Sequence, residues 1–460
     1  MRFLSLVLFA LVVPVLLLAQ QWELVRSHNV LGKTPLMVFF PPEGGDSTFY
    51  VLCAGVDANF NGQPDPEDVL PSLSVGQEES GGGVAILNIS FPWGVLSFPL
   101  RPLILWQGQE ATLYLPRIDR LSRFRFPPFG GWEIRGEDTL VRGGVQAVAL
   151  REDTLLMSRR TPGQPDVGLL LKFLPGVGIV ETLSVFNCPN IQQLLWDRAR
   201  SQLIVLCEGV FGQNNSHVWF LSAAGDAVQV PVGDTGNFML LEGDTLVVVA
   251  NGSHQIWLLD PATHLAYGGP IEVGTTGYGG PREALLLTLP NGQRTLLVST
   301  YSREVRWIDI ATGQLLQTLS LTGLAEGMAL RRRGDTVELW VAQAFTPSYG
   351  PDSTVAVFRL VVPSSVAEGG AGQGMARLFP SLIGEGPARV EWSLELGNQS
   401  TVEAEVFAVD GRRLLSWQLP VVSGGVSAVL PLSRRLLPAG WYTLRLRAGS
   451  RTAVVPFVVY

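Results

Sequence analysis

Leu246-Val-Val-Val-Ala250, Gln255-Ile-Trp-Leu-Leu-Asp260, Pro270-Ile-Glu-Val273 and Ala284-Leu-Leu-Leu287 are four short apolar runs in one stretch of chain. A second set follows in the same order: Leu296-Leu-Val-Ser-Thr300, Val305-Arg-Trp-Ile-Asp-Ile310, Leu315-Leu-Gln-Thr-Leu-Ser320 and Gly327-Met-Ala-Leu330. Each run has strand length, several are rich in β-branched residues, and most are separated by segments containing Gly, Pro or Asn, the composition of strands joined by tight turns. The second run of each set ends in an Asp turn, Asp260-Pro-Ala-Thr263 and Asp309-Ile-Ala-Thr-Gly313. In both, the carboxylate is placed to hold the turn through backbone N–H groups.

Moving outward, similar runs recur at Phe49–Ala54, Thr112–Leu115, Thr154–Met157, Leu203–Cys207 and Val337–Val341. Most intervals are about 40–50 residues, the length of one four-stranded propeller blade. Val51-Leu-Cys-Ala-Gly-Val56 matches Val205-Leu-Cys-Glu-Gly-Val210 almost residue for residue. Asp-Thr pairs precede strands at Asp153-Thr154, Asp244-Thr245 and Asp335-Thr336. Asp138-Thr139 falls out of step and marks the second repeat as irregular. These features predict an all-β fold, a seven-bladed β-propeller over residues 20–362 with those seven runs innermost. An array of β-sandwiches is the alternative. Trp22-Glu-Leu-Val-Arg26 and Leu36-Met-Val-Phe-Phe40 are expected to complete the blade that holds Val337–Val341 and Ser353–Leu360, which leaves no exposed edge.

The pattern over Tyr301–Gly313, strand then Ile-Asp-x-x-Thr-Gly, resembles the YVTN-type propeller repeat. Cys207-Glu-Gly-Val-Phe-Gly-Gln-Asn-Asn-Ser216 resembles the "NEGNFG" strands of bacterial surface propellers. The resemblance spans roughly residues 140–360 and rests on short motifs. It implies an exported protein that binds through its propeller.

The two ends of the chain carry the expectations about location. Arg2 followed by the apolar stretch Phe3–Leu18, with Ala19 before Gln20-Gln21, has the layout of a signal peptide over residues 1–19. The stretch is shorter than the ~20 residues that span a bilayer, and Pro14 interrupts it. A membrane anchor is the alternative, and no later run reads as a membrane span. Residues 363–375 are small, polar and glycine-rich, a linker. Residues 376–460 read as about seven strands, which suits a small Ig-like β-sandwich.

Within that last segment, Leu378-Phe-Pro380-Ser381, Asp410-Gly411-Arg412 after an apolar strand, and Leu437-Pro438-Ala-Gly440-Trp-Tyr442-Thr-Leu-Arg-Leu446 resemble the type IX secretion C-terminal sorting domain. Ser381 stands where that family has Asn, and the motif's second Pro is missing. The resemblance implies a protein carried by the type IX machinery to the surface of a Gram-negative bacterium, or into its medium. An ordinary fibronectin-like module is the alternative.

A net charge of −7 argues against a nucleic-acid surface. Three cysteines, Cys53, Cys188 and Cys207, make no complete disulfide framework. They are expected to act as buried apolar side chains, without sulfur or zinc chemistry. Asp57-Ala-Asn59-Phe-Asn61-Gly-Gln63-Pro-Asp65-Pro-Glu-Asp68 places oxygen side chains at positions 1, 3, 5, 9 and 12 of an EF-hand-type loop, with the Gln63 carbonyl at position 7. A structural Ca2+ is expected there, and a metal-free Asn/Asp/Gly turn is the alternative. His28, His217, His254 and His264 fall in turns or linkers, and neither a Walker loop nor a nucleophile elbow is present. A surface scaffold that binds an extracellular protein, glycan or small molecule is therefore expected. A propeller hydrolase or lyase, its acid, His or metal groups gathered at the central channel from several blades, is the other reading.

Overall fold

A computed structural model describes residues 21–41, 47–59, 65–78, 84–91, 102–107, 110–117, 120–126, 135–141, 145–159, 167–175, 177–186, 188, 190–274, 280–289, 292–333, 336–361, 376–379, 382–383, 388–393, 401–408, 412–420, 425–432, 435–438, 440–448 and 451–459. The signal-peptide and linker assignments lie outside the described residues. The chain divides into two units, Met1–Val361 and Val362–Tyr460.

The first unit is a β-propeller built from four-stranded antiparallel sheets. Sheet 1 takes Pro35–Phe39, Thr48–Cys53, Ser72–Glu78 and Val84–Ser90; sheet 2 takes Leu103–Gln107, Glu110–Pro116, Arg120–Phe126 and Arg135–Leu140. Sheet 3 takes Val145–Arg151, Thr154–Arg159, Val167–Leu174 and Gly178–Phe186; sheet 4 takes Ile191–Asp197, Gln202–Cys207, His217–Ser222 and Ala227–Pro231. Sheet 5 takes Gly236–Glu242, Thr245–Ala250, Gln255–Leu259 and Ile271–Glu272; sheet 6 takes Pro281–Thr288, Arg294–Thr300, Glu304–Asp309 and Leu315–Ser320. Sheet 7 takes Leu324–Arg333, Thr336–Phe345 and Pro351–Val361, and its fourth strand is the N-terminal Trp22–Asn29.

Apolar side chains cement each sheet to the next. Leu52 and Leu73 of sheet 1 pack with Leu113 and Phe124 of sheet 2, and Ile204 and Leu206 of sheet 4 pack with Met239 and Val248 of sheet 5. Trp340 and Val357 of sheet 7 meet Phe49 and Val51 of sheet 1. No edge is left between the last sheet and the first. The first strands of sheets 3 to 7 and of sheet 1 lie against one another and form an inner ring, whereas fourth strands such as Ala227–Pro231 face solvent.

This corrects the expected phase of the repeat. The seven runs expected to be innermost are second strands, and Ala284–Leu287 and Gly327–Leu330 open sheets 6 and 7 rather than close the preceding ones. A second strand has a partner on each side and an apolar sheet over each face, so Gln202–Cys207 and Thr245–Ala250 are buried along their whole length. They are the most apolar runs for that reason. The strand nearest the axis must instead carry polar groups toward the ring's opening.

Ring closure is also corrected in part. Trp22–Asn29 pairs with Pro351–Val361 from Trp22↔Leu360 to Asn29↔Thr354. Leu36–Phe40, expected beside it, begins sheet 1 and pairs with Thr48–Cys53. The turn between them fixes this. Gly32 lies where a Cβ would come within 2.6 Å of Cys53 Sγ, and Thr34 adopts a φ of 58°. On the other side of the seam, a Cβ on Gly327 would stand 2.1 Å from the Leu36 carbonyl oxygen, so the two inner strands meet backbone to backbone.

The motifs that revealed the repeat have direct physical roles. Gly55 and Gly209 of the matched Cys-x-Gly-Val segments have φ of 80° and 79°, the left-handed region that favours glycine. Asp309 accepts hydrogen bonds from the Thr312 N–H and hydroxyl, both at 2.8 Å, and from Gln293 at 2.6 Å. Burial opposes ionisation of Asp309, yet these donors hold its carboxyl below the ordinary range.

The second unit holds a three-stranded sheet, Ala376–Phe379, Ala388–Ser393 and Gly425–Leu430. A five-stranded sheet is made of Leu382–Ile383, Arg451–Val459, Gly440–Ala448, Thr401–Ala408 and Arg413–Pro420. Its core gathers Val402, Val406, Leu437, Leu444, Leu446 and Phe457, with Leu430 reaching in from the smaller sheet.

Candidate functional site

Each first strand begins at the end of its sheet where that sheet's second strand finishes, so all of them open on one face. There the pairing slips by one residue in sheet after sheet. The slips lie between Pro35 and Met37, Ile191 and Gln193, Gly236 and Phe238, and Pro281 and Glu283, with related breaks at Val145–Val148 and Leu324–Gly327. A bulge of this kind turns the extra residue out of the ladder and re-aims its side chain. The residues so placed are Leu36, Gln146, Gln192, Asn237, Arg282 and Glu326.

Polar bonds run from four of these positions, Gln146, Gln192, Asn237 and Arg282, or from the residue after them, to the following sheet. Gln146 Nε2 donates to Gln192 Oε1 at 3.2 Å, and Asn237 Nδ2 donates to the Arg282 carbonyl at 2.7 Å. Gln193 takes the Met239 N–H at 2.6 Å and donates to the Met239 carbonyl at 2.9 Å. Glu283 Oε2 accepts the Met328 N–H at 2.9 Å, which is the same contact two repeats on. The belt ends in an ion pair, Arg282 Nη2 to Glu326 Oε1 at 2.9 Å, joined by the Tyr301 hydroxyl donating to Glu326. The Arg282 guanidinium lies 4.5 Å over the Tyr301 ring.

Electrostatics hold this corner in one protonation state. Burial pushes the Tyr301 phenol up, and the Glu326 charge pushes it further, so the hydroxyl keeps its proton and donates it. Burial works against the Arg282 charge, but Glu326 and Tyr301 more than offset it and leave arginine a firmer cation than usual. Amides, a guanidinium and carboxylates held by their neighbours form a fixed, largely buried hydrogen-bonded belt. Around it stand ordered aromatic groups. Phe211 is 79 % exposed on a loop tied by Val210 N–H to Asn215 Oδ1 and Gly212 N–H to Asp234 Oδ2, both at 2.7 Å. Tyr349, with a φ of 61°, stands exposed on the corresponding loop of sheet 7.

None of these mouth residues was singled out in the sequence. The available signal is a polar pair directly after the residue that opens a first strand, present at Ile191-Gln-Gln193 and Pro281-Arg-Glu283. It is hidden because the second strands read as innermost from sequence, which places neither of these first strands at the axis.

The oxygen-rich loop lies between the second and third strands of sheet 1, closed at its base by the Val56↔Val69 bridge. Asn61 and Gln63 lie outside the described residues. Asp68 accepts the Ala58 N–H at 2.9 Å and the Asp65 N–H at 3.1 Å, Asp65 accepts the Glu67 N–H at 3.1 Å, and the Asn59 amide donates to Asp65. Asp57 opens this loop. The side-chain donors are all oxygen except the Asn59 amide, and a half-turn of that amide presents oxygen in place of nitrogen. The set fits a hard cation in ligand type.

In the second unit, Pro380, Asp410 and Gly411 lie outside the described residues. Leu378 pairs with Val390, and the Arg412 carbonyl accepts the Ala408 N–H at 3.0 Å across the turn. Leu437 is buried, Pro438 is exposed, Gly440 pairs with Val459, and the buried Tyr442 donates its hydroxyl to the Pro438 carbonyl at 2.7 Å. That bond folds the Leu-Pro-Ala-Gly-x-Tyr segment back on itself, much as a tyrosine corner does. Glu405, also buried, is flanked by Arg413 at 2.8 Å and Arg445 at 2.6 Å. Hydrogen bonds from those two arginines hold its carboxyl below the ordinary range.

The cysteines overturn their expectation. Cys188 and Cys207 form a disulfide, with a Cα–Cα distance of 5.0 Å that lies within the ordinary span. It closes a loop of 19 residues, worth about 3 kcal/mol in the chain-entropy account. Sequence spacing concealed the pair, because Cys188 precedes the first strand of sheet 4 while Cys207 ends the second. Cys53 is free and buried, and burial pushes its thiol up to about 12.

Among the described residues no helix is long and apolar enough to cross a membrane. No family model matches the chain, and no curated protein does. Among solved structures the chain is similar to the WD40 β-propeller domain of Doa1, with a TM-score of 0.48 and 12 % identity over 74 % of this chain and 97 % of that domain.

Proposed function

We propose that this protein is an exported, seven-bladed propeller that serves as a binding scaffold on or outside a Gram-negative cell. In this reading the second unit is an Ig-like sandwich that addresses it to type IX secretion. The observation that carries the binding reading is the mouth of the inner ring, a fixed array of amide, guanidinium and carboxylate groups rimmed by the exposed Phe211 and Tyr349. Pre-organised polar groups beside exposed rigid aromatics suit recognition of a polar extracellular ligand, a protein segment, glycan or small molecule. The carboxylates there are held by Arg282, Tyr301 and the Met328 N–H, which suits binding better than proton transfer. The Cys188–Cys207 disulfide supports export, since such bonds persist in oxidising compartments.

Deleting residues 376–460 is expected to leave a folded propeller that stays in the periplasm of a host with type IX secretion. Fusing those residues to a signal-bearing reporter is expected to carry the reporter to the surface or medium. Fractionation with protease shaving measures both, and a truncated chain that still reaches the surface removes the sorting role.

The same reading assigns a structural Ca2+ to Asp57, Asn59, Asn61, Gln63, Asp65 and Asp68. A chelator is then expected to lower the melting temperature of the wild type and to leave Asp57→Ala unchanged. Equal melting of the wild type with and without chelator ends that assignment.

A further inference from the structure

The geometry points to Cys188, Cys207 and His217 as a redox-gated site for a borderline or soft divalent metal such as Zn2+, closed while the cysteines are joined and opened by a dithiol reductant. The two sulfur atoms and a ring nitrogen of His217 lie within 4.8 Å of one another, and all three residues are buried. Cys207 and His217 stand directly opposite in the hairpin of sheet 4, so the backbone register delivers both side chains to the same place. Tetrahedral coordination with Zn–S bonds near 2.3 Å separates two thiolates by about 3.8 Å, a short outward rotation from the joined state.

The tautomer of the histidine suits a ligand. Its Nδ1 lies 3.0 Å from the Asn215 carbonyl oxygen, which can only accept, so Nδ1 carries the proton and Nε2 carries the lone pair. A backbone carbonyl on one ring nitrogen is the usual outer partner of a metal-bound imidazole on the other. Ser216, between Asn215 and His217, anchors the segment by donating to the Cys207 carbonyl at 2.7 Å.

The repeat supplies an internal comparison. Cys188 stands three residues before Ile191, which pairs with Cys207; in sheet 1 Gly32 stands three residues before Pro35, which pairs with Cys53. Ser72 is opposite Cys53 as His217 is opposite Cys207. A Cβ on Gly32 would come within 2.6 Å of Cys53 Sγ and 2.4 Å of Ser72 Oγ, which confirms that the frame gathers these three positions in both sheets. Sheet 5 has Gly233, Ala250 and Gln255 there. Packing is therefore satisfied by Gly, Cys and Ser, or by Gly, Ala and Gln. Sheet 4 instead has a metal-ligating residue at all three positions.

The chemistry balances simply. A dithiol gives two electrons and two protons to the Cys188–Cys207 bond, yielding two thiols and its own disulfide. The metal ion then displaces both thiol protons and binds two thiolates and the His217 lone pair, with water or an external ligand in the fourth position.

The test uses the full mature chain, reduced with a phosphine so that no chelating thiol is added, and titrated with Co2+ and then Zn2+. One Co2+ per reduced chain is expected, with a thiolate charge-transfer band and tetrahedral visible absorption that Zn2+ removes; the oxidised chain should take none. Zn2+ should also slow re-formation of the disulfide. His217→Gln, which keeps the packing against Trp219, is expected to weaken Co2+ at least 10-fold, a conservative figure set by the 10–100-fold cost of losing an outer partner alone. Cys53→Ser should change nothing. Absence of the band in the reduced chain, equal affinity in His217→Gln, or a reduced chain that has unfolded and is not refolded by Zn2+ would each overturn the site.

Discussion

Replacing Glu338 by Gln should destabilise the propeller by about 3–5 kcal/mol, the range for removing one partner of a buried ion pair. Glu338 is fully buried near the start of the second strand of sheet 7, where it receives Arg331 at 2.8 Å, Arg26 at 3.0 Å and Arg359 at 3.1 Å, and the Trp340 Nε1–H at 3.2 Å. Glu78 of sheet 1 binds Arg26, Arg331 and Arg333 from the other side. Two carboxylates thus stand among four guanidiniums. Removing one leaves a single carboxylate among four guanidiniums, including Arg331, which is buried and wedged over Trp340 at 4.6 Å and Phe40 at 4.9 Å. A fall in melting temperature of roughly 5–10 °C follows for a domain of this size, and melting within error of the wild type refutes the account.

The same cluster sets a pH dependence. Burial alone would raise the Glu338 pKa, but Arg331, Arg26 and Arg359 outweigh it and bring it down from 4.5 to about 2. Because the folded value is depressed, the stabilisation is complete above the unfolded value and is lost as pH falls through the window from about 4.5 to about 2. His28, held below 6.5 first by burial and then by Arg26, adds an earlier loss, since protonating it inside the fold costs stability as pH falls below 6.5. Glu338→Gln should keep the histidine step and lose the later one.

The sequence disclosed what is local and repeated, and concealed what depends on which strand is nearest the axis. Burial on both faces makes a second strand the most apolar, so apolar runs such as Leu246–Ala250 count the repeats well and locate the axis badly. The polar first-strand residues Gln192, Asn237, Arg282 and Glu326 acquire meaning only when bulges turn them out together, and no spacing rule joins residues about 45 positions apart. The Asp turns were legible because a carboxylate, Thr and Gly within five residues make a complete hydrogen-bonded unit, as Asp309–Gly313 shows. Cys188 and His217 were misjudged for the opposite reason. Their partner Cys207 reaches them through strand register, which a linear search for ligand spacing does not contain.

Removing Trp22–Asn29 should abolish most of the propeller's stability, because this strand completes sheet 7 and adds contacts to both neighbouring sheets. Its backbone covers Pro351–Val361 along nearly its whole length. Trp22 is buried edge-on against Trp307 of sheet 6 at 6.2 Å, and Gln317 of that sheet exchanges two 2.9 Å hydrogen bonds with the Trp22 backbone. On the other side His28 stacks on Phe49 of sheet 1 at 5.5 Å and on Trp340 at 5.3 Å, while Arg26 bridges Glu338 to Glu78. Losing the Trp22 side chain alone costs about 3–5 kcal/mol, and losing Arg26 breaks the buried cluster for a similar amount. Together these approach the ~5–15 kcal/mol that holds a whole domain. The bared strand Pro351–Val361, with Val355, Val357 and Phe358 among its residues, then becomes an open edge able to pair with another chain. The truncated protein is therefore expected to lose its cooperative melt and to associate, as read by calorimetry and sedimentation, and adding a Trp22–Asn29 peptide in excess should restore part of the transition. A truncated chain that remains monomeric and melts as the full one does would show that the ring is held shut by its other contacts.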